Sequence, residues 1–344
     1  MNITFKRKIN KREKNIGVEI LRIYLSILVV NSHCYKYTKN IKYIILKIIR
    51  NRLHVPTFFI ISFFFFQFTL LSRNIDKFKQ RFQRLLIPYL IWPIIIWLIN
   101  NLIVAFFNIK LKNSFKDLKM QILAGHCFNG VFWFQWDLIF EIFVFIIIEL
   151  IFHKYLVYII INLGLLAYLF QYSQYNYNIF SKLNYERKYT FGRFSEIIPY
   201  SISGFILSYF KLISCFQRNK IKTVNICLFI FILIFKYQFF FEPKGFMYQG
   251  LRLNILSNCF FIIFSMISSK FIIKYISKLI LLISKFTPGI YYMHIPVMQY
   301  FSSIINVIKN KDIFGAILIY IICFIISIIG NFIFKKTILA NLFQ

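Results

Sequence analysis

Long, uninterrupted apolar runs are the feature of this sequence that most constrains its fold. A helix needs about 20 consecutive apolar residues to cross the core of a bilayer, whereas a membrane β-barrel shows alternating segments of about ten residues. The runs here are continuous, and 59% of the residues are hydrophobic, more than a soluble domain could bury. The sequence therefore predicts an all-α fold, a polytopic membrane helical bundle of about ten transmembrane helices, at 17–37, 55–72, 85–108, 131–152, 154–171, 195–211, 223–241, 253–269, 286–307 and 312–334.

Three stretches outside these runs mix lysine with apolar residues at helical spacing. Such a pattern is typical of short amphipathic helices that lie on the membrane surface. We expect surface helices of this kind at 41–54, 111–125 and 270–285.

The whole chain is predicted to form one membrane domain. A basic cytosolic stub (1–15) precedes the transmembrane domain (16–335), and a short C-terminal tail (336–344) follows it. Lysine and arginine are slightly more frequent in the segments that share a side with the N-terminus. This bias favours a multi-pass protein of the cell or plasma membrane with both termini in the cytosol.

The formal net charge of +31 is carried mostly by short loops between the apolar runs. We expect these loops to contact anionic lipid head groups, and we expect no nucleic-acid partner because no soluble domain is present to bind one. The six cysteines are scattered and form no Cys-x-x-Cys pair. The sequence therefore predicts neither a disulfide framework nor a metal site.

The first apolar run carries an unusual polar stripe. Glu19, Arg22, Ser26 and His33 are spaced at three, four and seven residues, which places them on one face of a helix. Charged groups inside a membrane span are costly and therefore mark functional sites. Arg22 and His33 would lie about 16 Å apart along the helix, so an anionic donor could bind at one end and react at a histidine base deep in the stripe. The alternative is a polar seam that joins helices, with Glu19 and Arg22 as a charge pair.

Two arginines follow the second run. Arg81 and Arg84 are three residues apart and so share a helical face at the membrane surface. Arginine offers a fixed fork of donors to phosphate oxygens, so one interpretation is a phosphate clamp. Ordinary anchoring to the cytosolic membrane surface explains the pair equally well. Ser62, in the preceding run, is a candidate supporting residue, or a hydroxyl that serves helix packing.

The fourth run contains two carboxylates within the predicted span. Trp133, Asp137 and Glu141 recur at every fourth residue and so share one helical face. Buried carboxylates need cationic or hydrogen-bonding partners, for which Arg22 and His33 are the candidates. Trp133 has the alternative role of an interfacial anchor.

A second histidine lies inside the ninth run. His294 is followed by Pro296, and Pro288 and Gly289 indicate an irregular helix start. A lone histidine at such a position is more often structural than catalytic. We include His294 as a candidate supporting residue.

Taken in order, these pieces resemble the membrane-bound acyltransferase 3 family over residues 16–335. The family pattern has an acidic residue, Leu-Arg and a histidine eleven residues later. It continues with Pro-x-Phe-Phe-x-x-Ser-Gly, with Arg-x-x-Arg before Ile-Pro-Tyr, with Trp-Phe, and with Ile-Tyr-x-x-His-x-Pro-Val. The matching positions are Glu19, Leu21, Arg22, His33, 56–62, Arg81, Arg84, 87–89, Trp133, 199–204 and His294.

The resemblance implies an acyltransferase that transfers groups other than amino-acyl groups. Such enzymes move an acyl group, here expected to be acetyl, from acyl-CoA to a hydroxyl of a carbohydrate or related acceptor. Acetyl-CoA or another acyl-CoA is then a donor substrate, and no bound cofactor is expected. O-acetylation of a polysaccharide or another glycan is the implied modification.

The resemblance also implies residue roles. His33 would be the catalytic base, assisted by Glu19, which positions Arg22. Arg22, Arg81 and Arg84 would bind the CoA phosphates. Apart from the resemblance, a further hypothesis is that Asp137 or Glu141 sets the tautomer of a histidine.

Two alternatives remain open. A transporter of a small solute or of protons would also place Glu, Arg and His inside the membrane. A catalytically inactive member of the family is the second alternative, because Phe63 stands where the family pattern has glycine.

Overall fold

The computed structural model describes residues 15–34, 53–107, 114–125, 132–177, 185–241, 249–268, 272–301 and 313–343. Within these ranges the chain is helical and contains no strand. The α-helices are α1 (Ile16–Cys34), α2 (His54–Ser72), α3 (Ile75–Phe107), α4 (Phe115–Ala124), α5 (Phe132–Phe152), α6 (Leu156–Tyr177), α7 (Tyr185–Tyr209), α8 (Leu212–Arg218), α9 (Lys220–Phe241), α10 (Gln249–Ser265), α11 (Lys274–Lys285), α12 (Thr287–Phe301) and α13 (Ile313–Ile333). Short 3-10 helices occur at η1 (His153–Tyr155) and η2 (Ile338–Leu342).

Five helical runs among the described residues are long and apolar enough to cross a membrane. They are Ile16–His33, His54–Ser72, Ile75–Phe106, Phe132–Phe170 and Phe314–Ile333. A sixth is obtained if Ser195–Tyr209 and Leu212–Arg218, which meet at an angle of 63°, count as one broken span. The all-α membrane architecture is therefore confirmed, whereas the expected number of about ten spans is not confirmed by the described residues.

The run Phe132–Phe170 contains two antiparallel helices. Glu141 on α5 accepts a hydrogen bond from Ser201 on α7, while a Cβ added to Gly164 on α6 would lie 3.1 Å from Ile202 Cδ1 of α7. Both helices thus reach the same level of α7, although their contact residues are more than 20 positions apart in the chain. The chain must therefore reverse at η1, which agrees with the separate helices predicted at 131–152 and 154–171.

The remaining predicted spans coincide, at least in part, with described helices. The prediction at 223–241 corresponds to α9, and the prediction at 253–269 corresponds to α10, whose apolar part is Leu251–Ser265. Residues 302–307 of the run at 286–307 lie outside the described residues.

Two of the expected amphipathic stretches form helices. In α4, Ser114 caps the first turn by accepting a hydrogen bond from the Asp117 backbone N–H, and the Asp117 side chain accepts one from the Ser114 N–H in return. The stretch at 270–285 contains α11, which begins at Lys274. Most of the stretch at 41–54, and the basic stub up to residue 14, lie outside the described residues.

Helix α1 connects the two hydrophobic cores of the bundle. It packs against α2, α10, α11, α12 and α13. Leu21 and Leu25 are fully buried in one core, which they share with α2, α5, α6, α7 and α10, whereas Val30 belongs to a second core with α3, α12 and α13. The polar stripe of α1 is therefore held between two packed halves of the protein.

Helices α2 and α7 approach each other closely at a glycine of α7. A Cβ atom added to Gly204 would lie 2.3 Å from the backbone oxygen of Ile60, so only glycine fits at this position. Nearby, the Ser208 hydroxyl donates a 2.8 Å hydrogen bond to the Gln67 side chain across the same interface. The glycine that permits tight packing thus lies on α7, where the segment 199–204 resembles the family pattern.

Phe63, which replaces the usual glycine of the family, has a packing role. Its side chain is fully buried, and its ring centroid lies 4.7 Å from that of Phe145 on α5 and 5.6 Å from that of Phe66. The phenyl ring fills the space between α2 and α5. The inactive-member alternative therefore gains no support from a disrupted helix contact at this residue.

The close approach at Gly204 makes this helix pair sensitive to one added methyl group. We expect Gly204→Ala to lower the free energy of unfolding by about 1–3 kcal/mol, because the clash involves backbone atoms that cannot move aside cheaply. Thermal unfolding of the detergent-purified protein would measure the effect. Gly164→Ala is the matched control, since its methyl group would meet the flexible end of the Ile202 side chain. Equal losses of unfolding free energy in the two variants would contradict the close backbone contact at Gly204.

Candidate active site

Two histidines from distant parts of the chain meet at one end of α1. The ring centroids of His33 and His294 are 5.2 Å apart, with the ring planes tilted by 48°. His33 is exposed, whereas only 1% of His294 is accessible. His33 occupies the last turn of α1, beyond the buried residue Val30, and so lies at the far end of the polar stripe.

The hydrogen bonds of His294 define its tautomer. Its Nδ1 lies 2.7 Å from the backbone oxygen of Tyr291, and a carbonyl can only accept, so the proton is assigned to Nδ1. Nε2 then carries a lone pair, and this buried atom has no hydrogen-bond partner among the described residues. His294 therefore offers an unused acceptor next to His33.

The three arginines predicted to bind the donor interact through their charges. Arg81 Nη2 donates a 2.6 Å hydrogen bond to the backbone oxygen of Ser62, and its guanidinium carbon lies 5.3 Å from the ring centroid of Phe66. Arg22 and Arg84 are both near enough for their charges to act on Arg81. Like charges repel, so such a cluster favours an anionic ligand.

The side chain of Arg81 points toward α2, unlike that of an arginine that only anchors a helix at the membrane surface. Its Nε is buried and has no hydrogen-bond partner among the described residues, while the side chain of Arg84 is exposed. Helix α3 has 33 residues and is about 50 Å long, longer than the roughly 30 Å hydrocarbon core. Its first turns can therefore extend past the membrane core with Arg81 turned toward α2.

The N-terminal part of the polar stripe of α1 makes both local and long-range contacts. Arg22 Nη1 lies 3.5 Å from Glu19 Oε2, which agrees with the predicted pair. Some 40% of the Arg22 side chain remains accessible, so the pair leaves its guanidinium open to a ligand. The Ser26 and Tyr320 hydroxyls are 3.1 Å apart, which links the stripe to α13.

The Asp137 carboxylate pairs with an arginine that the sequence did not identify as its partner. Arg193 on α7 contacts both carboxylate oxygens, with Nε 2.6 Å from Oδ2 and Nη2 2.8 Å from Oδ1. The same guanidinium lies 5.2 Å from the ring centroid of Trp133. The expected partners of Asp137, Arg22 and His33, are therefore incorrect. The sequence could not reveal this pairing, because Asp137 and Arg193 are 56 positions apart and meet only when α5 packs on α7.

The second carboxylate of α5 has a different environment. Glu141 is buried and accepts a hydrogen bond from the Ser201 hydroxyl, and its Oε1 has no partner among the described residues. In the described part of the chain, neither Asp137 nor Glu141 is hydrogen-bonded to a histidine. The backbone oxygen of Tyr291 sets the tautomer of His294 instead.

A further ion pair lies at the other end of α5. Arg73 Nε and Nη2 donate hydrogen bonds of 3.1 and 3.0 Å to Glu149 Oε1, and His153 Nδ1 is 2.7 Å from the same oxygen. Arg73 itself has a left-handed backbone, with φ at 47°. This cluster joins the turn after α2 to the turn after α5.

Among the described residues, no group of three or more His, Cys, Asp or Glu side chains is arranged to hold a metal ion.

Comparison with known proteins identifies one family. The family model described as an acyltransferase domain, of the acyltransferase 3 type, matches residues 15–336, which is nearly the whole chain. No significant match was found among curated proteins or among solved structures.

Loss of Arg193 would leave the buried Asp137 carboxylate without its cation. We expect Arg193→Met to lower the free energy of unfolding by about 3–5 kcal/mol, and the double variant with Asp137→Leu to recover much of that loss. Thermal unfolding in detergent would measure both. Arg73→Met is the control with a smaller expected effect, because Glu149 keeps His153 as a partner. A double variant no more stable than Arg193→Met would contradict this account.

Proposed function

Since the chain belongs to the acyltransferase 3 family of membrane proteins, we propose that it moves an acyl group, expected to be acetyl, from acyl-CoA to a hydroxyl of a carbohydrate or related acceptor. The observation that carries the proposal is the arrangement of α1. An arginine cluster lies at Arg22, and an exposed histidine lies eleven residues later on the same helix. The two groups are about 16 Å apart along the helix axis.

The arginine cluster suits the anionic end of CoA. Arg22, Arg81 and Arg84 bring three positive charges together, and the Nε of Arg81 is still free to donate among the described residues. Guanidinium groups bind phosphate oxygens through paired hydrogen bonds. The pantetheine arm of CoA is long and narrow, and it would carry the thioester from this cluster toward His33.

His33 suits the role of general base. One ring nitrogen would take the proton from the acceptor hydroxyl while the hydroxyl oxygen attacks the thioester carbonyl. A carbon–oxygen bond forms, the carbon–sulfur bond breaks, and the proton passes from His33 to the departing CoA thiolate. The products are the ester and free CoA, so the histidine ends in its starting state.

The distribution of positive charge bears on how the protein is oriented in the membrane. We propose that the arginine cluster faces the cytosol, where acyl-CoA is made, with both termini on that side of the plasma membrane. The +31 net charge would then favour contact with anionic lipid head groups. Exposed lysines on α11, among them Lys274, Lys278 and Lys285, are available for such contact.

Removal of the imidazole is expected to stop catalysis without preventing donor binding. His33→Ala should slow transfer at least about 100-fold, the usual contribution of a positioned general base. Membrane vesicles containing the protein would receive radiolabelled acetyl-CoA, and alkali-labile, ester-linked label would be counted. His153→Ala is the control, because that histidine is exposed and lies in the Glu149 cluster. Equal label in His33→Ala and wild type would refute the role of His33.

Binding of the donor gives an independent test. Labelled acetyl-CoA should bind saturably to the detergent-purified protein, and Arg81→Ala should weaken binding by about 10- to 100-fold, since a charged hydrogen bond contributes roughly 1.5–3 kcal/mol. Lys79→Ala, which alters an exposed cation on the same helix, should bind normally. If folded, monodisperse wild type binds no acetyl-CoA, the donor assignment fails. Solute flux in proteoliposomes without acyl-CoA would then favour the transporter alternative.

A further inference from the structure

We infer that His294 is a positioning residue for His33. The two rings are in contact but not hydrogen-bonded as they lie here, and a rotation of the His33 ring would let Nε2 of His294 accept a hydrogen bond from a ring N–H of His33, which fixes the tautomer and orientation of the His33 ring. The inference rests on the proposed function, in which His33 is the general base. It assigns His294 no contact with substrate.

Accessibility decides which histidine has which role. His33 is exposed at the end of α1 and can meet an acceptor hydroxyl, whereas 1% of His294 is accessible. His294 is enclosed by its own helix and by the second hydrophobic core, which includes Met293 and Ile295. It can therefore act only through a neighbouring group, and His33 is 5.2 Å away between ring centroids.

The tautomer of His294 makes it an acceptor. Its Nδ1–H is committed to the backbone oxygen of Tyr291 at 2.7 Å, so Nε2 presents a lone pair. That atom is buried and has no partner among the described residues. A buried acceptor without a partner is costly, and an N–H group of His33 would satisfy it.

A fixed tautomer leaves the opposite nitrogen of His33 ready for chemistry. When one nitrogen of His33 donates to His294, the other carries the lone pair that removes the hydroxyl proton. His33 is briefly an imidazolium and returns its proton to the CoA thiolate, while His294 gains and loses no proton. An orienting partner has the same function in the Ser-His-Asp triad, where a carboxylate holds the imidazole.

Neither carboxylate of α5 is hydrogen-bonded to a histidine among the described residues, so neither holds the His33 ring. Asp137 is paired with Arg193, and Glu141 is hydrogen-bonded to Ser201. Among the described residues, other titratable groups near His294 include Tyr291, whose ring centroid is 6.0 Å away, and His54 on α2, which is close enough to act on it electrostatically. A neutral acceptor also avoids the cost of an unpaired charge in this buried position.

Two substitutions separate the two nitrogens of His294. His294→Gln places an oxygen acceptor near the position of Nε2, whereas His294→Asn places a polar group near Nδ1 and leaves the Nε2 position empty. Met293→Ala is the packing control, since it removes a buried side chain of the same core without removing an acceptor. His294→Ala removes both nitrogens.

The test is nitrogen NMR of the full-length protein in detergent, labelled with ¹⁵N-histidine, in which His33→Ala identifies the His33 signals. We expect His33 to show one tautomer in wild type, in His294→Gln and in Met293→Ala, and to show a mixture in His294→Asn and His294→Ala. A His33 spectrum unchanged in all variants would overturn the inference. This reading does not require turnover, so it is independent of whether the proposed acyl transfer is correct.

Activity gives the second reading. Ester-linked label from radiolabelled acetyl-CoA should fall by roughly 10- to 100-fold in His294→Asn and His294→Ala, and by only a few-fold in His294→Gln, while acetyl-CoA binding is retained. Equal losses in the Gln, Asn and Met293→Ala variants would reduce His294 to a packing residue and overturn the inference. Absence of label in wild type would count against the proposed function and leave the NMR result to decide the histidine contact.

Discussion

The low polarity of the bilayer is the constraint on which the rest of this structure depends. Lipid offers no hydrogen bonds, so each polar group inside the bundle must be matched by another part of the protein. The bidentate pair of Arg193 and Asp137 meets this requirement between α7 and α5. Polar atoms that lack a partner within the described residues, such as Arg81 Nε and His294 Nε2, are therefore informative.

Helix α1 extends from the region of Arg81 to the region of His294. Its residues enter both hydrophobic cores, so its axis is held firmly while its polar stripe remains between them. Arg22 meets the arginine cluster at one end, and His33 meets His294 at the other. A rigid helix thus sets a constant distance between the proposed donor site and the proposed base, which suits the transfer of a group on a long arm.

Local patterns predicted one contact of this site and the family of the chain. Helical spacing correctly paired Glu19 with Arg22, and the order of motifs identified the family that the comparison found. The partner of Asp137 was mispredicted, and His294 could not be placed beside His33. In both cases the partner lies on another helix, and no periodicity within one helix reveals which neighbour it will meet.

The sequence by itself determined that this is a helical membrane protein of the acyltransferase 3 family, because apolar runs and motif spacing are local properties of the chain. The tertiary structure decided which polar groups pair. The approach of α2 and α7 at Gly204 depends on the absence of a side chain, and the contact of His33 with His294 depends on how α1 and α12 cross. Such contacts arise from the packing of whole helices against one another, so they are fixed only when the bundle has assembled.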